Sequence, residues 1–526
     1  MTTIKDFGKI FRSNPTLQEL CRRVSAGGSR RHLALDGLNA SAVSLATAAL
    51  FDEKCCNNIL VIADDADKAG YLYFDLTQLI GSDRVAFFPA LYKHIHKSGA
   101  TIAENGILRT DSLNKISDGK PCIIVSYPDA ISEKVVAADR FASARIALTK
   151  GQEYAMSTLL DDLRNSGFDE VDFVYEVGQY SQRGSIVDVF SYSNELPYRI
   201  DFFGDTVESI RTFDIERQLS IEDVDHLAVV AATDSEEQGK VSLLEFVAPD
   251  TIIVANDIDY CIKRIDQIYS QALVKANEQR QTSDLYSSLI DGEGFRQQLE
   301  AFSTVEVLRN YYKADTLVFA TTLQPNFNKN FDLISKNIKQ YLADGYRIYI
   351  ASDSKKQIDR ITSIFDDRGD DISFEAVDKT LHEGFVDNDL KVCFFTDHQI
   401  FDRFHRFSLK SDTARRGKAA MLVKELNSLK PGDFVVHHDH GVGQFAGLLT
   451  TNINGKPQEV IKLIYKGGDI IFVNISSLHK ISKYRGKEGI DPTLSKLGTG
   501  AWERLKERTK TKVKDIARDL IRLYAK

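Results

Sequence analysis

Residues 176–190 read EVGQYSQRGSIVDVF and residues 197–213 read PYRIDFFGDTVESIRTF. Apolar and polar side chains alternate along both stretches, which is typical of β-strands that bury one face. The Gly204-Asp205 pair, which lies between two such runs, fits the two-residue turn of a β-hairpin. Together with an amphipathic helix just before them, these strands predict an antiparallel α+β module at 146–214.

This module interrupts a longer pattern of alternating strands and helices. Short apolar runs alternate with helical patterns over residues 1–145, and the same alternation resumes over 215–310. Such an order predicts an α/β domain with a mostly parallel, doubly wound sheet, into which the antiparallel module is inserted. A second, small α/β domain is predicted at 311–410. The chain is therefore predicted to be an α/β multidomain protein.

The C-terminal quarter has a different pattern. A helical linker is predicted at 411–429, and residues 430–487 consist of short strand-like runs and Gly turns that predict a small SH3/Tudor-like β-barrel. Residues 488–526 are predicted to be a linker and a long basic helix. The apolar stripe of that helix still continues at Lys526, without a Gly, Asn or Pro to end it. We therefore expect the natural protein to continue past this residue.

The charge of the chain is unevenly distributed. Residues 401–526 carry 25 Lys and Arg against 13 Asp and Glu, whereas the residues before them carry 42 against 62. An acidic front part argues against a chain built mainly to bind nucleic-acid phosphates. No run approaches the roughly 20 apolar residues of a membrane span, and the six scattered cysteines form no CxxC pair. We expect a cytoplasmic monomer that binds neither membrane nor metal.

Two motifs carry a resemblance to a known family. The module sequence quoted above resembles the module that the excinuclease protein UvrB shares with bacterial transcription-repair coupling factors, where it docks the excinuclease protein UvrA. Residues 429–437, LKPGDFVVH, and 440–447, HGVGQFAG, resemble the RNA-polymerase-interacting domain of the coupling factors, which is related to CarD-type regulators. UvrB has no such domain, so the pair of motifs makes the chain similar to the N-terminal part of a coupling factor.

The resemblance implies a scaffold for transcription-coupled DNA repair. Its expected partners are the β subunit of RNA polymerase and the excinuclease protein UvrA. In the family, downstream motor domains translocate double-stranded DNA and bind ATP and Mg²⁺, so no cofactor and no catalytic residue is expected in this chain. The α/β domain of residues 1–145 and 215–310 would then be a degenerate helicase-like domain.

The sequence GLNASAVS, which begins at Gly37, stands between a strand and a helix, where a phosphate-binding loop would lie. Gly37 and Ser44 fit the G-x-x-x-x-G-K-[ST] pattern, but Ala42 adds a methyl group where the backbone must approach phosphate. Val43 replaces the lysine that pairs with the β- and γ-phosphates. The resemblance also places Asn256 where working helicases have an Asp that organises Mg²⁺. These residues predict a degenerate nucleotide site.

The surface expected to bind UvrA lies on the strands of the module. Arginine suits such a surface because its planar guanidinium pairs with carboxylates through two hydrogen bonds. An alternative stays open, in which the arginines form ion pairs inside the module with Asp188, Asp201 or Asp205. The candidate residues are Arg183, Arg199, Asp201, Phe203 and Arg211.

The surface expected to bind the β subunit of the polymerase is a strand edge at 447–453. An exposed edge offers unpaired N–H and C=O groups to an incoming strand. A strand that is paired on both sides, with a buried leucine, is nearly as well supported by the sequence for any single residue. The candidate residues are Leu448, Leu449, Thr450, Thr451 and Ile453.

Three other interpretations are weaker. A UvrB-like protein or superfamily 2 helicase with its own ATPase conflicts with Val43 and with the extra barrel. A free-standing CarD-type regulator would explain only the residues from 430 onward. The sequence HHDH at 437–440 favours a structural turn over a metal site, because neighbouring side chains of a strand point to opposite faces.

Overall fold

A computed structural model describes residues 1–26, 32–52, 58–91, 99–143, 145–192, 194, 196–215, 217–230, 240–278, 288–308, 316–403, 429–453, 456–474, 480–484, 492–506 and 508. The chain divides into two compact units, of which the first is Met1–Ala144 with Ala232–Leu409 and the second is Arg145–Ala231 with Lys410–Lys526. Among the described residues, no helix is both long and apolar enough to cross a membrane.

The N-terminal part of the first unit alternates helices and strands. Its elements are α1 (Ile4–Phe11), α2 (Pro15–Ser25), β1 (His32–Asp36), α3 (Ala42–Asp52), β2 (Asn58–Ile62), α4 (Ala66–Ile80), β3 (Val85–Phe87), α5 (Gly99–Ser117), β4 (Cys122–Ser126), α6 (Pro128–Ile131), β5 (Val135–Val136) and α7 (Ala138–Ser143). Polar side chains cap the helices, since Asn14 accepts hydrogen bonds from the amides of Thr16 and Leu17 at the start of α2. The strands β2 and β4 are buried along their whole length, as expected for a sheet covered on both faces.

The chain then enters the second unit and forms the inserted module. Its elements are β6 (Arg145–Thr149), α8 (Met156–Asn165), β7 (Asp169–Glu170), β8 (Gln179–Arg183), β9 (Ile186–Val189), β10 (Tyr198–Phe203), β11 (Thr206–Phe213), β12 (Ser220–Val224) and β13 (His226–Val230). Strands β7 to β12 form a six-stranded sheet, the module sheet, in sequence order, and α8 packs its buried leucines against one face of it. Because β13 pairs with β6, the module extends past residue 214, the end expected from the sequence.

On returning to the first unit, the chain completes a parallel sheet. The elements are β14 (Lys240–Val241), α9 (Leu243–Phe246), β15 (Ile252–Asn256), α10 (Ile258–Glu278), α11 (Gly292–Leu299), β16 (Ser303–Val307) and β17 (Leu317–Val318). The seven-stranded sheet, called the first sheet, has the order β17-β1-β16-β15-β2-β4-β3, and every neighbouring pair in it is parallel. The predicted mixed α/β architecture is present, with a parallel first sheet and a module sheet whose strands pair antiparallel except for β7 with β8.

A five-stranded sheet, called the second sheet, completes the first unit. Its elements are β18 (Thr321–Leu323), α12 (Phe331–Ala343), β19 (Arg347–Ala351), α13 (Lys355–Asp367), β20 (Glu375–Val377), β21 (Phe385–Asp387), β22 (Val392–Thr396) and α14 (Asp397–Ile400), and its strand order is β18-β21-β22-β19-β20. The N-terminal helix α1 packs on this sheet, because the ring of Phe7 lies 5.0 Å from that of Tyr349 and 4.6 Å from that of Phe394. Helix α1 also contacts α3 and α4, the helices beside the first sheet, with which the sequence grouped it.

The last described strands form the C-terminal sheet of the second unit. They are β23 (Phe434–His437), β24 (Gly441–Ile453), β25 (Lys456–Ile464), β26 (Ile470–Asn474) and β27 (Ile481–Lys483), in the order β26-β25-β24-β23-β27. The two edge strands, β26 and β27, do not pair with each other in the described residues, so the SH3/Tudor-like barrel stays a prediction. The predicted linker at 411–429, apart from its last residue, and the predicted helix beyond residue 508 lie outside the described residues.

Candidate functional sites

The outer face of the module sheet carries a row of charged side chains. The strand register places Arg199 of β10 opposite Asp188 of β9 on one side and opposite Arg211 of β11 on the other. These side chains lie on the face of the sheet opposite to Ile200 and Phe202, which are buried under α8. The sequence prediction that β10 presents charged residues on its outer face agrees with this arrangement.

Asp188 is completely buried, and two arginines hold it. The Nε and Nη2 atoms of Arg199 donate to its two carboxylate oxygens at 2.8 and 2.9 Å, and the Nη2 atom of Arg183 donates at 2.5 Å. Arg183 and Arg199 also lie over the rings of Phe173 and Phe213, at 4.9 and 4.6 Å from the ring centroids. A buried carboxylate is tolerated only when it is paired. These two arginines therefore have a structural partner, which is the alternative that the sequence left open.

The remaining candidates on this surface differ in exposure. Arg211 contacts Asp201 at 3.4 Å, with about a third of each side chain accessible to solvent. Such an exposed ion pair contributes little to stability and is easily exchanged for a partner's groups. Phe203, at the tip of the β10–β11 hairpin, is 78% exposed. An aromatic ring in this position is costly to leave in water, so Phe203 is the best-placed of the five candidates for contact with another protein.

The two candidate docking modules share hydrophobic packing within the second unit. Phe173, the residue under the Arg183 guanidinium, belongs to a buried cluster that also contains Val435, Phe445 and Leu463 of the C-terminal sheet. A charge reversal at Arg183 would set two carboxylates against each other at a buried position. Such a variant would therefore test folding of the module rather than docking.

Strand β24 has an edge that no described strand covers. Strand β23 pairs only with the segment from Gly441 to Gln444, whereas β25 pairs with β24 as far as Ile453. Residues 447–453, predicted as the docking edge, are therefore paired on one side only within the described part of the chain. Leu449 is 44% exposed. Four other candidates, Leu448, Thr450, Thr451 and Ile453, lie on β24, and their side chains fall outside the described set.

The opposite edge of the C-terminal sheet is also apolar, which the sequence prediction missed. Ile470 and Phe472 of the edge strand β26 are 46% and 54% exposed. Both residues lie on the same face of the strand because they are two positions apart. The uninterrupted apolar run IIFV at 470–473 is the signal that would have located this second edge.

The residues predicted to form a degenerate nucleotide site lie at a cleft of about 740 Å³ at the junction between β1 and α3. Val43 and Asn256 line it, as the sequence predicted. The fold itself requires glycine at position 37, because the φ of Gly37 is +70° and a Cβ atom there would collide with the carbonyl oxygen of Phe319. Ala42 and Ser44 are completely buried. The glycine and the serine that fit the phosphate-loop pattern therefore fill places in the first unit's own packing.

The lining of this cleft is acidic. Asp36, Asp65, Asp67 and Glu383 face it, and Lys68, which also lines it, forms an ion pair with Asp64. A triphosphate would meet several carboxylates there in place of the lysine and backbone amides of a working site. The electrostatics of the cleft disfavour nucleotide binding independently of Val43.

Asp75 of α4 lies at the base of the same cleft. Burial raises the pKa of its carboxyl to about 7, although hydrogen bonds from Ser41, from the His382 amide and from Ser44 lower it. In an unfolded chain this pKa is about 4. The folded state therefore binds the proton more tightly, so the stabilisation is complete below about pH 4 and is lost as the pH rises through 7.

This shift predicts the behaviour of Asp75→Asn. The neutral amide removes the cost of ionising a buried carboxyl, so between pH 5 and pH 8 the variant is expected to lose less stability than the wild type, by on the order of 2–3 kcal/mol. Amide exchange of α4 at both pH values, corrected for the intrinsic dependence of exchange on pH, measures the difference. Asp67→Asn, at an exposed position of the same helix, is the control and should keep the wild-type dependence on pH. Equal pH dependence in wild type and Asp75→Asn would contradict the assignment.

The turn at 437–440 begins with a buried residue, His437, and its other three residues are exposed. The rings of His437 and His440 stack with their centroids 4.6 Å apart, and Nε1 of Trp502 donates to the carbonyl of His438 at 2.9 Å. Burial lowers the pKa of His437 to about 4. Among the described residues, no group of three or more His, Cys, Asp or Glu side chains is arranged to hold a metal ion. This packing fits the structural turn that the sequence favoured.

Two segments of the chain match known domain families. Residues 146–234 match the UvrB interaction domain, and residues 429–485 match the CarD-like/TRCF RID domain. Over most of its length the chain is also similar to two curated proteins named transcription-repair-coupling factor. The protein of Bacillus subtilis (strain 168) is 22% identical over 93% of this chain and 48% of its own length. That of Staphylococcus aureus (strain bovine RF122 / ET3-1) is 23% identical over 89% and 46%.

These matches confirm the resemblance that two sequence motifs predicted. The chain spans about half the length of the curated relatives it matches. Both domain matches fall on the sheets described above: the first covers the module sheet with β6 and β13, and the second covers β23 to β27.

Proposed function

We propose that this chain is the N-terminal scaffold of a transcription-repair coupling factor, which binds the β subunit of RNA polymerase and recruits the excinuclease protein UvrA to stalled transcription complexes. The observation that carries the proposal is the presence of both domain types, at 146–234 and 429–485, on one chain. A free-standing CarD-type regulator would account for the second domain alone. A UvrB-like helicase would account for the first alone.

The polymerase would bind by adding a strand to β24. Residues 447–453 offer backbone groups on the side that β25 does not use, and Leu449 offers an exposed apolar side chain beside them. Main-chain hydrogen bonds then supply affinity, and the side chains of the edge supply specificity. In this proposal the C-terminal strands form the SH3/Tudor-like module that the sequence predicted, and the partner strand extends it.

UvrA would bind the outer face of the module sheet through Phe203, Asp201 and Arg211. Arg183 and Arg199 have a different part in this proposal: by neutralising Asp188 they keep the sheet rigid and present a positive surface beside the docking residues. A rigid, preorganised surface loses less conformational entropy when a partner binds.

ATP hydrolysis would belong to domains outside this chain. Val43 stands in place of the phosphate-binding lysine, and the cleft around it is lined by carboxylates. We therefore assign ATP, Mg²⁺ and most contacts with double-stranded DNA to the further part of the intact protein. The described chain contributes binding of partners, without chemistry of its own.

Capture experiments with purified partners test the proposal. The chain is expected to retain both UvrA and the β subunit of the polymerase. Phe203→Asp should weaken capture of UvrA by about 30-fold, the effect of losing about 2 kcal/mol at a hot spot, and should leave polymerase binding unchanged. Glu208→Ala, on the neighbouring strand β11, serves as the matched surface control. Retention of neither partner by the wild-type chain would refute the function.

A further inference from the structure

We propose that the remnant nucleotide loop, residues 40–44, is a docking socket for residues 381–384 of the second sheet, so that it joins the two sheets of the first unit. The loop lies between β1 and α3 of the first sheet, and residues 381–384 lead into β21. This role is independent of the partners proposed above, because every contact that carries it lies within the first unit.

Ser41 forms the centre of the socket with two hydrogen bonds to the same residue. Its amide N donates to the carbonyl oxygen of Glu383 at 3.4 Å, and its Oγ accepts from the Glu383 amide at 3.0 Å. In a working phosphate-binding loop, N–H groups at the start of this helix point toward phosphate oxygens. Here a main-chain carbonyl oxygen of the chain itself occupies one of those positions.

Asp75 adds a second point of attachment from helix α4. Its Oδ1 atom accepts from the amide of His382 at 2.7 Å, and its Oδ2 atom accepts from the hydroxyl of Ser44 at 3.1 Å. One turn earlier on α4, the ring of Tyr71 stacks on the imidazole of His382, with centroids 3.4 Å apart and planes 10° from parallel. Ser41, just before α3, thus holds Glu383, while Asp75 and Tyr71 of α4 hold His382.

The docked segment is held in shape by its own sheet. A ring nitrogen of His398 lies 2.7 Å from the carbonyl oxygen of His382, and Oε1 of Gln399 accepts from the amide of Gly384 at 2.7 Å. Gly384 has no room for a Cβ atom, which would collide with Oε1 of Gln324. Because the segment is shaped before it docks, little conformational entropy is lost on docking. The second sheet therefore presents a preformed plug to the loop.

The docking socket accounts for the burial of two hydroxyl groups in this loop. Ser41 and Ser44 are almost completely buried, at 3% and 0% exposure. The hydroxyl of Ser41 accepts a hydrogen bond from the docked segment, and the hydroxyl of Ser44 donates one to Asp75. A buried hydroxyl without a partner would cost stability. The docked segment supplies that partner for Ser41, and Asp75, which also binds the segment, supplies it for Ser44.

Hydrogen exchange in the full chain tests the socket. Ser41→Ala removes the Oγ acceptor, and we expect the Glu383 amide and its neighbours at 381–384 to exchange about ten-fold faster, together with the loop itself. Thr47→Ala is the matched control, because Thr47 is a buried hydroxyl of α3 that bonds to the carbonyl of Val43. That variant should leave exchange at 381–384 as in the wild type. Faster exchange confined to the loop in Ser41→Ala would overturn the proposal.

A second variant keeps the test decisive if Ser41→Ala does not fold. His382→Ala removes the stack on Tyr71 from the plug side, and it is expected to speed exchange in the loop at 40–44, which the substitution does not touch. Unchanged exchange in that loop would overturn the proposal.

The double variant Ala42→Gly with Val43→Lys restores the phosphate-loop pattern, and we expect it to bind no fluorescent ATP analogue, because the docked carbonyl remains. Tight binding of the analogue with wild-type exchange at 381–384 would equally overturn it.

Discussion

Replacing Arg199 with leucine is expected to lower the local stability of the module sheet by about 3–5 kcal/mol, the usual cost of breaking a buried ion pair from one side. Asp188 is completely buried and receives two of its hydrogen bonds from Arg199, and a leucine would leave that charge with Arg183 alone. Because a multidomain chain does not unfold in one step, amide exchange of β9 and β10 is the appropriate measurement. These amides should exchange at least about 100-fold faster.

Two further variants distinguish the effect of breaking the buried ion pair from the effect of removing another charge on the module sheet. Arg211→Leu breaks an exposed pair with Asp201 and should change the same exchange rates by less than about five-fold. The double variant Asp188→Leu with Arg199→Leu removes the buried carboxylate and its main partner, and it leaves Arg183, a quarter of whose side chain reaches solvent. It should recover most of the lost protection, since apolar residues replace a buried ion pair at little cost. An Arg199→Leu protein with wild-type exchange would show that the pair carries no stability.

Leu449→Arg is expected to weaken binding to the β subunit of RNA polymerase by at least about 30-fold, which corresponds to a hot-spot loss of about 2 kcal/mol. The side chain lies beside the backbone edge of β24 that no described strand covers, and it is 44% exposed. A partner strand added there would have to desolvate the guanidinium without supplying an anion. Calorimetric titration of the β subunit into the variant measures the loss.

Phe472→Arg provides the comparison for the opposite edge of the same sheet. Phe472 is 54% exposed on β26, so the substitution introduces the same charge at a similarly exposed edge position. Binding of the β subunit should change by less than about two-fold. If Phe472→Arg abolished binding while Leu449→Arg did not, strand addition at β24 would be wrong and β26 would be the docking edge.

The two surfaces proposed for docking in the second unit would recognise their partners by different physical principles. The edge of β24 offers main-chain hydrogen bonds, so its recognition depends on backbone geometry and on a few apolar anchors. The module sheet instead offers side chains, and the guanidinium groups of Arg183 and Arg199 already form ion pairs with Asp188. Substitutions of Arg183 and Arg199 are therefore expected to act on folding first, whereas substitutions of Phe203 and Arg211 are expected to act on the proposed docking.

The sequence by itself determined the modules of this protein. Runs such as NILVI at 58–62 and CIIVS at 122–126 are apolar on both faces, and that local pattern is sufficient to predict a covered parallel sheet. Strict alternation around Gly204-Asp205 predicted the antiparallel hairpin for the same kind of reason. The two family motifs were also readable without a structure, because each is a contiguous stretch of chain.

Only the tertiary structure decided what individual residues do. Gly37 fits a phosphate loop by its spacing. The structure shows that a side chain at this position would collide with the carbonyl of Phe319, 282 positions later in the sequence. Ser41 meets Glu383 across a similar separation, and Arg183 and Arg199 converge on a single buried Asp188. Periodicity records which side of an element is buried, but it carries no information on which distant side chain lies there, because that depends on how the packed elements meet in space.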